Sequence, residues 1–197
     1  MYKKQMTFQR AVCLLTIVAS AIVFLYSLGM MTDLYDMLYT MIPDPTDLDS
    51  AKVAGARIYY DMQDFNRMLL RLSIGLILLA AALFVTNTHS RRKYYIGNYV
   101  TVALNAVAGI GVAAWGHIQV MAYRQTYLNT VDFEQLERRL RSKPGVFTRS
   151  TFWFDVNWFV FGFMLVAVCL LILNTVWKIH VMKDEQRLLA EGKAVSA

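Results

Sequence analysis

The chain has few of the residues that support covalent or metal chemistry. Its only two cysteines, Cys13 and Cys169, form no CxxC pair, so a dithiol exchange enzyme is not expected. The three histidines, His89, His117 and His180, are dispersed, without the spacing of an HExxH or Cys/His metal site. No glycine-rich phosphate-binding loop occurs either. We therefore predict no metal, no cofactor and no enzymatic activity.

Charged residues are also scarce. They make up 17% of the 197 residues, against about 25% in a typical soluble domain, while 57% of the chain is hydrophobic. Four apolar stretches are long enough to cross a bilayer as helices, at about residues 11–31, 68–85, 98–123 and 152–177. Too few residues remain for a separate soluble domain. The sequence predicts an all-α integral membrane protein with one four-helix domain covering residues 1–197.

The distribution of Lys and Arg predicts the orientation. Half of the 20 cations lie at the N-terminus, in the turn at residues 91–93 and in the C-terminal tail. The other half lie in longer segments that also contain most of the acidic residues. Lys and Arg residues in short loops and next to the first span have the strongest influence on orientation. Both termini should therefore be cytoplasmic, in a plasma or inner membrane. The net charge of +6 favours anionic lipid headgroups, and no nucleic-acid-binding motif is present.

Two outer segments, about residues 32–67 and 124–151, should be helical in part. The apolar stripe of span 1 continues to Ile42, and a helix capped by Asp49 or Ser50 would run on into span 2. This pattern predicts an extracytoplasmic helical hairpin that extends spans 1 and 2. A short amphipathic helix is predicted between spans 3 and 4. Asp132 or Thr130 could cap it, and Gln135 lies three residues after Asp132, as in a capping box. It could pack on the hairpin, lie on the bilayer surface or dock a partner.

Span 3 is rich in alanine and glycine. Small residues let membrane helices approach closely. The resulting van der Waals contact favours helix association in lipid, where the hydrophobic effect between helices is absent. We predict that Gly109, Gly111 and Gly116 pack against another helix, from this chain or from a different protein. Asn105, nearer the middle of the span, is expected to make an interhelical hydrogen bond.

The candidate site is an outer polar layer of four residues. Arg67 and Arg71 enter span 2, His117 lies inside the outer end of span 3, and Asp155 begins span 4. Charged groups at membrane depth are costly unless they are paired or hydrated. The layer is therefore either a ligand or ion site, or a structural feature in which Arg67 reaches the interface and Arg71 pairs with Asp155.

These patterns favour a non-enzymatic accessory or scaffolding subunit. Its outer hairpin and span 3 would bind other membrane components within the lipid bilayer. The partner would be another membrane protein or further copies of the chain. The alternative is a small oligomeric transporter or channel that uses the outer polar layer. An enzyme would have only His117 and Asp155 as candidate catalytic groups.

Overall fold

The computed structural model describes residues 2–41, 55, 57–88, 96–135, 138 and 151–195. This part of the chain contains no strand. Its elements are α1 (Tyr2–Met41), α2 (Ile58–Thr88), α3 (Ile96–Thr130), the short α4 (Phe152–Asp155) and α5 (Asn157–Val195). Four segments of these helices are long and apolar enough to cross a membrane: Lys4–Asp33, Ile58–Thr88, Asn98–Thr130 and Phe152–Glu191. The prediction of an all-α chain with four helices long and apolar enough to span a membrane is confirmed for the described residues.

The four long helices exceed the thickness of a bilayer. They contain 40, 31, 35 and 39 residues, which corresponds to roughly 45–60 Å at 1.5 Å per residue. The hydrocarbon core is only about 30 Å thick. Each helix therefore continues beyond the apolar segment that the sequence predicts. In α1 the first helical residue is Tyr2, well before the apolar run begins near residue 11.

The second helix begins later than expected. The sequence predicted one helix from about Ser50 into span 2, but Gly55 has a φ of +79°, in the left-handed region that interrupts an α-helix. A Cβ at this position would lie 2.2 Å from the carbonyl oxygen of Thr130, so only glycine fits. The Ile58 amide donates to the Gly55 carbonyl at 3.2 Å, and α2 starts there. The cap candidates Asp49 and Ser50 lie outside the described residues.

The outer segments are described in part. Asp132 accepts a hydrogen bond from the Gln135 amide at 3.0 Å, the bond expected of a helix N-cap. Residues 136–137 and 139–150 lie outside the described part, so the amphipathic helix stays a prediction. The same holds for the hairpin tip at residues 42–54. The final span begins with α4, which a single turn residue, Val156, separates from α5.

The chain divides into two compact units. The first comprises residues 1–21, 75–111 and 163–197. Its buried centre consists of Val12, Cys13, Leu83 and Leu171, packed against partly buried Phe8, Phe84, Val102 and Leu170. One part of each of the four long helices contributes to it, so these helices pack together around one apolar centre.

The second unit comprises residues 22–74 and 112–162 and is rich in aromatic contacts. Tyr26 donates its hydroxyl to the Trp153 carbonyl at 2.8 Å and meets the Phe161 ring edge-on at 5.8 Å. Tyr127 lies 5.2 Å from both Phe133 and Phe154. Tyr26 thus buries its ring while its hydroxyl bonds to the backbone, an arrangement suited to a membrane boundary.

Candidate functional site

Asp155 forms an ion pair, but with a different partner from the one predicted. Its Oδ1 accepts a bond from Arg124 Nε at 3.0 Å, and its Oδ2 accepts one from the Thr151 hydroxyl at 2.5 Å. The predicted pairing of Asp155 with Arg71 is wrong. Asp155 lies in α4 and Arg124 near the end of α3, so the pair joins these two helices. Both side chains are partly exposed, at 51% and 30%.

His117 is hydrogen-bonded to Asn157 rather than to Asp155. The distance from His117 Nδ1 to Asn157 Oδ1 is 2.5 Å. Asn157 is fully buried and donates its Nδ2 to the Phe154 carbonyl, which leaves Oδ1 as the acceptor toward the imidazole. The neutral ring then carries its proton on Nδ1 and has Nε2 as a hydrogen-bond acceptor. The imidazole also meets the Trp158 ring edge-on at 4.3 Å.

Arg67 and Arg71 do not join this group. Both side chains are exposed, whereas Phe65, Asn66 and Leu69 on the same turns of α2 are buried. Arg67 lies 3.9 Å from Asp64, whose side chain is 97% exposed. The four residues predicted as one layer therefore separate into an outward arginine pair, a His117–Asn157 pair and an Asp155–Arg124 pair.

Asn66 is a buried polar residue of this region that the sequence analysis missed. Its Nδ2 donates to the Ser27 carbonyl on α1 at 3.1 Å. Its Oδ1 is buried without a hydrogen-bond partner among the described residues. The helical spacing contained the signal, since Asn66 falls between apolar Phe65 and Leu69 on the face opposite the arginines. A search for charged residues alone selects the neighbouring Arg67 as the site residue instead.

A second polar network lies in the other unit and was also missed. Gln5 donates to the side-chain oxygens of Gln9, at 3.0 Å, and Asn174, at 3.1 Å. Gln9 in turn donates to the Asn87 carbonyl. All four residues are at most 5% exposed. The sequence analysis assigned residues 1–10 to a cytoplasmic tail, although the spacing of Gln5 and Gln9 places them on one face of a helix.

The predicted packing residues of α3 behave in two different ways. Asn105 is buried and donates to the Leu79 carbonyl on α2 at 3.0 Å. A Cβ at Gly109 would lie 2.8 Å from Val168, and one at Gly116 would lie 2.5 Å from Phe161, so both glycines are in close contact with α5. A Cβ at Gly111 would meet nothing within 4 Å. Gly111 is exposed and packs against no other helix in the described part of the chain.

The described residues include few groups that could hold a metal ion or act as a reactive thiol. Among the described residues, no group of three His, Cys, Asp or Glu side chains is placed to hold a metal ion. Cys13 is buried and Cys169 exposed, and both are free thiols. Comparison with protein-family models, with curated proteins and with solved structures finds no match to this chain.

Proposed function

We propose that the chain is a multi-pass membrane accessory or scaffolding subunit that binds another membrane component laterally through α3. One observation supports this most. Ala103, Val107 and Gly111 lie on successive turns of one exposed face, and Val107 is 73% exposed. Nothing lies within 4 Å of a Cβ added at Gly111. Small residues on a lipid-facing surface let a second helix approach closely, which favours association in a bilayer.

The partner we propose is a membrane-spanning helix of another protein. Its own small residues would face the Ala103–Gly111 stripe, because close approach requires both backbones to be uncovered. The outer hairpin and the segment around Phe133 would supply a second contact surface. We also propose that both termini are cytoplasmic, in a plasma or inner membrane. The reason is that Lys and Arg in short segments next to the spans favour the cytoplasmic side.

The alternative is a small oligomeric transporter or channel. A pathway needs polar groups that face water or an ion, whereas His117 and Asp155 are bonded to Asn157 and Arg124. Arg71 faces outward, so it could line a pore only between copies of the chain. The channel predicts solute or ion flux in liposomes containing the purified protein alone. Loss of that flux in Arg71→Ala or Asp155→Asn would favour the channel over the subunit.

The subunit proposal is tested by affinity purification from the native membrane in mild detergent. Gly111→Leu adds a bulky side chain to the α3 stripe where the chain itself has open space. The matched control is Gly75→Leu on α2, where nothing lies within 4 Å either. We expect Gly111→Leu to lose a co-purifying membrane polypeptide that the wild type and Gly75→Leu retain, with all three equally stable. Equal recovery of that polypeptide with both variants would contradict the proposal.

A further inference from the structure

Arg10 lies directly before the uncharged part of α1. From Ala11 to Thr32 the helix contains no charged residue. These 22 residues span roughly 33 Å at 1.5 Å per residue, close to the thickness of a bilayer hydrocarbon core of about 30 Å. The Arg10 backbone is thereby placed at the hydrocarbon boundary, and its long side chain reaches the level of the lipid phosphates.

The neighbouring Gln9 determines which way Arg10 faces. Gln9 is 1% exposed and donates its side-chain amide to the Asn87 carbonyl on α2. Consecutive residues of an α-helix point about 100° apart, and the Arg10 side chain is exposed. Leu14 and Val18, one and two turns farther along this outer face, are 50% and 49% exposed. At membrane depth such apolar side chains contact lipid tails, so a guanidinium group stands directly above a lipid-facing surface.

The charge of Arg10 is not balanced by an acidic side chain. Arg10 forms no ion pair with any residue in the described part of the chain. The first acidic residue of the sequence is Asp33, which lies roughly 35 Å farther along α1. Arg10, Leu14 and Val18 all belong to the compact unit of residues 1–21, 75–111 and 163–197. The sequence of this unit contains ten Lys and Arg and three acidic residues, a net charge of +7.

This combination of groups matches the two ends of a phospholipid. A planar guanidinium group binds phosphate oxygens in bidentate geometry, which an ammonium group cannot reproduce. The exposed apolar residues below it contact an acyl chain. A zwitterionic headgroup contains its own cation, which offsets the charge of the phosphate. The excess of positive charge in the unit therefore selects a headgroup with net negative charge.

We propose that Arg10 binds the phosphate of an anionic phospholipid whose acyl chain lies along Leu14 and Val18. The lipid is defined by this chemistry: a phosphodiester at the level of the guanidinium group, attached to a chain that reaches the apolar surface below. With both termini in the cytoplasm, the site faces the leaflet in which anionic lipids give the membrane its negative surface potential. The binding site is independent of the α3 stripe and of any protein partner.

The test is native mass spectrometry of the purified, delipidated protein in mild detergent, titrated with dioleoyl phosphatidylglycerol or dioleoyl phosphatidylcholine. The variants are Arg10→Gln and Arg10→Lys. Arg187→Gln is the matched control, since Arg187 is an exposed arginine of the same unit. It lies beyond the apolar run that ends at Trp177, roughly 15 Å farther along α5. A thermal unfolding curve for each variant verifies that it is folded.

We expect the wild type to bind phosphatidylglycerol more tightly than phosphatidylcholine. A basic residue near a membrane surface contributes about fivefold in affinity, so Arg10→Gln should weaken phosphatidylglycerol binding about fivefold. Arg10→Lys keeps the charge but loses the bidentate geometry, so its affinity should fall between those of the wild type and Arg10→Gln. Arg187→Gln should bind like the wild type. Unchanged binding in Arg10→Gln and Arg10→Lys would overturn the proposal. So would equal wild-type affinity for the two lipids, or an equal loss in Arg187→Gln.

A second titration separates the acyl chain from the headgroup. Dihexanoyl phosphatidylglycerol has the same headgroup, but its short chains do not reach Val18, which lies roughly 12 Å below Arg10 along the helix. We expect the wild type to bind this lipid more weakly than dioleoyl phosphatidylglycerol. Equal affinity for the two chain lengths would contradict the contact with Leu14 and Val18.

Discussion

Replacing Gly116 by alanine should destabilise the protein, while the same change at Gly111 should not. A Cβ at position 116 would lie 2.5 Å from Phe161 Cζ and 2.9 Å from its Cε1, well inside van der Waals contact. The Phe161 ring is 2% exposed and packs edge-on against Tyr26 at 5.8 Å. It cannot move away without displacing that neighbour, so the added methyl group overpacks the core.

The size of the effect follows from comparing the two glycines. Alanine gains about 0.5–1 kcal/mol over glycine in a helix, and this gain is common to both α3 positions. Overpacking a core costs about 1–3 kcal/mol and applies only at Gly116. The difference in unfolding free energy between the variants should therefore be about 1–3 kcal/mol, which corresponds to roughly 2–12 °C in Tm for a chain of this size.

The assay is thermal unfolding of both variants and the wild type in the same detergent, followed by intrinsic fluorescence. Gly111→Ala should unfold at or slightly above the wild-type Tm, and Gly116→Ala several degrees lower. If the two variants unfold within about 1 °C of each other, Phe161 does not confine position 116, and α3 does not pack closely against α5 at this position.

Three further predictions test other contacts. Asn105→Leu removes an interhelical bond to a carbonyl on α2 and should lower the unfolding free energy by about 0.6–2 kcal/mol, measured in the same assay. Arg124→Ala removes a partly exposed ion pair with Asp155 and should lower the unfolding free energy by less than about 1 kcal/mol. This loss should be smaller at high salt, because salt screens exposed charges. A loss of unfolding free energy that does not depend on salt would contradict the Arg124–Asp155 ion pair. A membrane-permeant maleimide should label exposed Cys169 before buried Cys13, and the two rates should become similar only after denaturation.

The helices could be predicted from sequence because the bilayer imposes a simple rule. Runs of about 20 apolar residues must be helical in lipid, and all four runs proved to be so. The helix ends were harder to predict, since no such rule applies outside the apolar runs. At Gly55 the decisive fact is the approach of the Thr130 carbonyl, a contact between segments that are distant in sequence and invisible to any local pattern.

The arrangement of the polar residues could not be predicted from the sequence. Four ionisable residues at one depth suggested a single layer, yet depth does not determine which way each side chain faces. Arg71 faces outward, and Asp155 meets Arg124. Among the described residues the buried polar side chains are uncharged, and several are amides such as Asn66 and Asn157. Uncharged polar groups cost less to bury than charges once they are hydrogen-bonded. Helical periodicity could have identified Asn66, whereas the partner of His117 required the packing of α3 on α5.

We propose that this chain is a subunit of a larger membrane complex. The most direct test is native mass spectrometry of the untreated protein, extracted from its own membrane in mild detergent and compared with the calculated mass of the chain. The subunit proposal predicts a reproducible additional mass equal to that of a second polypeptide. A bare monomer would contradict it, and so would an assembly of identical chains alone, which would favour the channel.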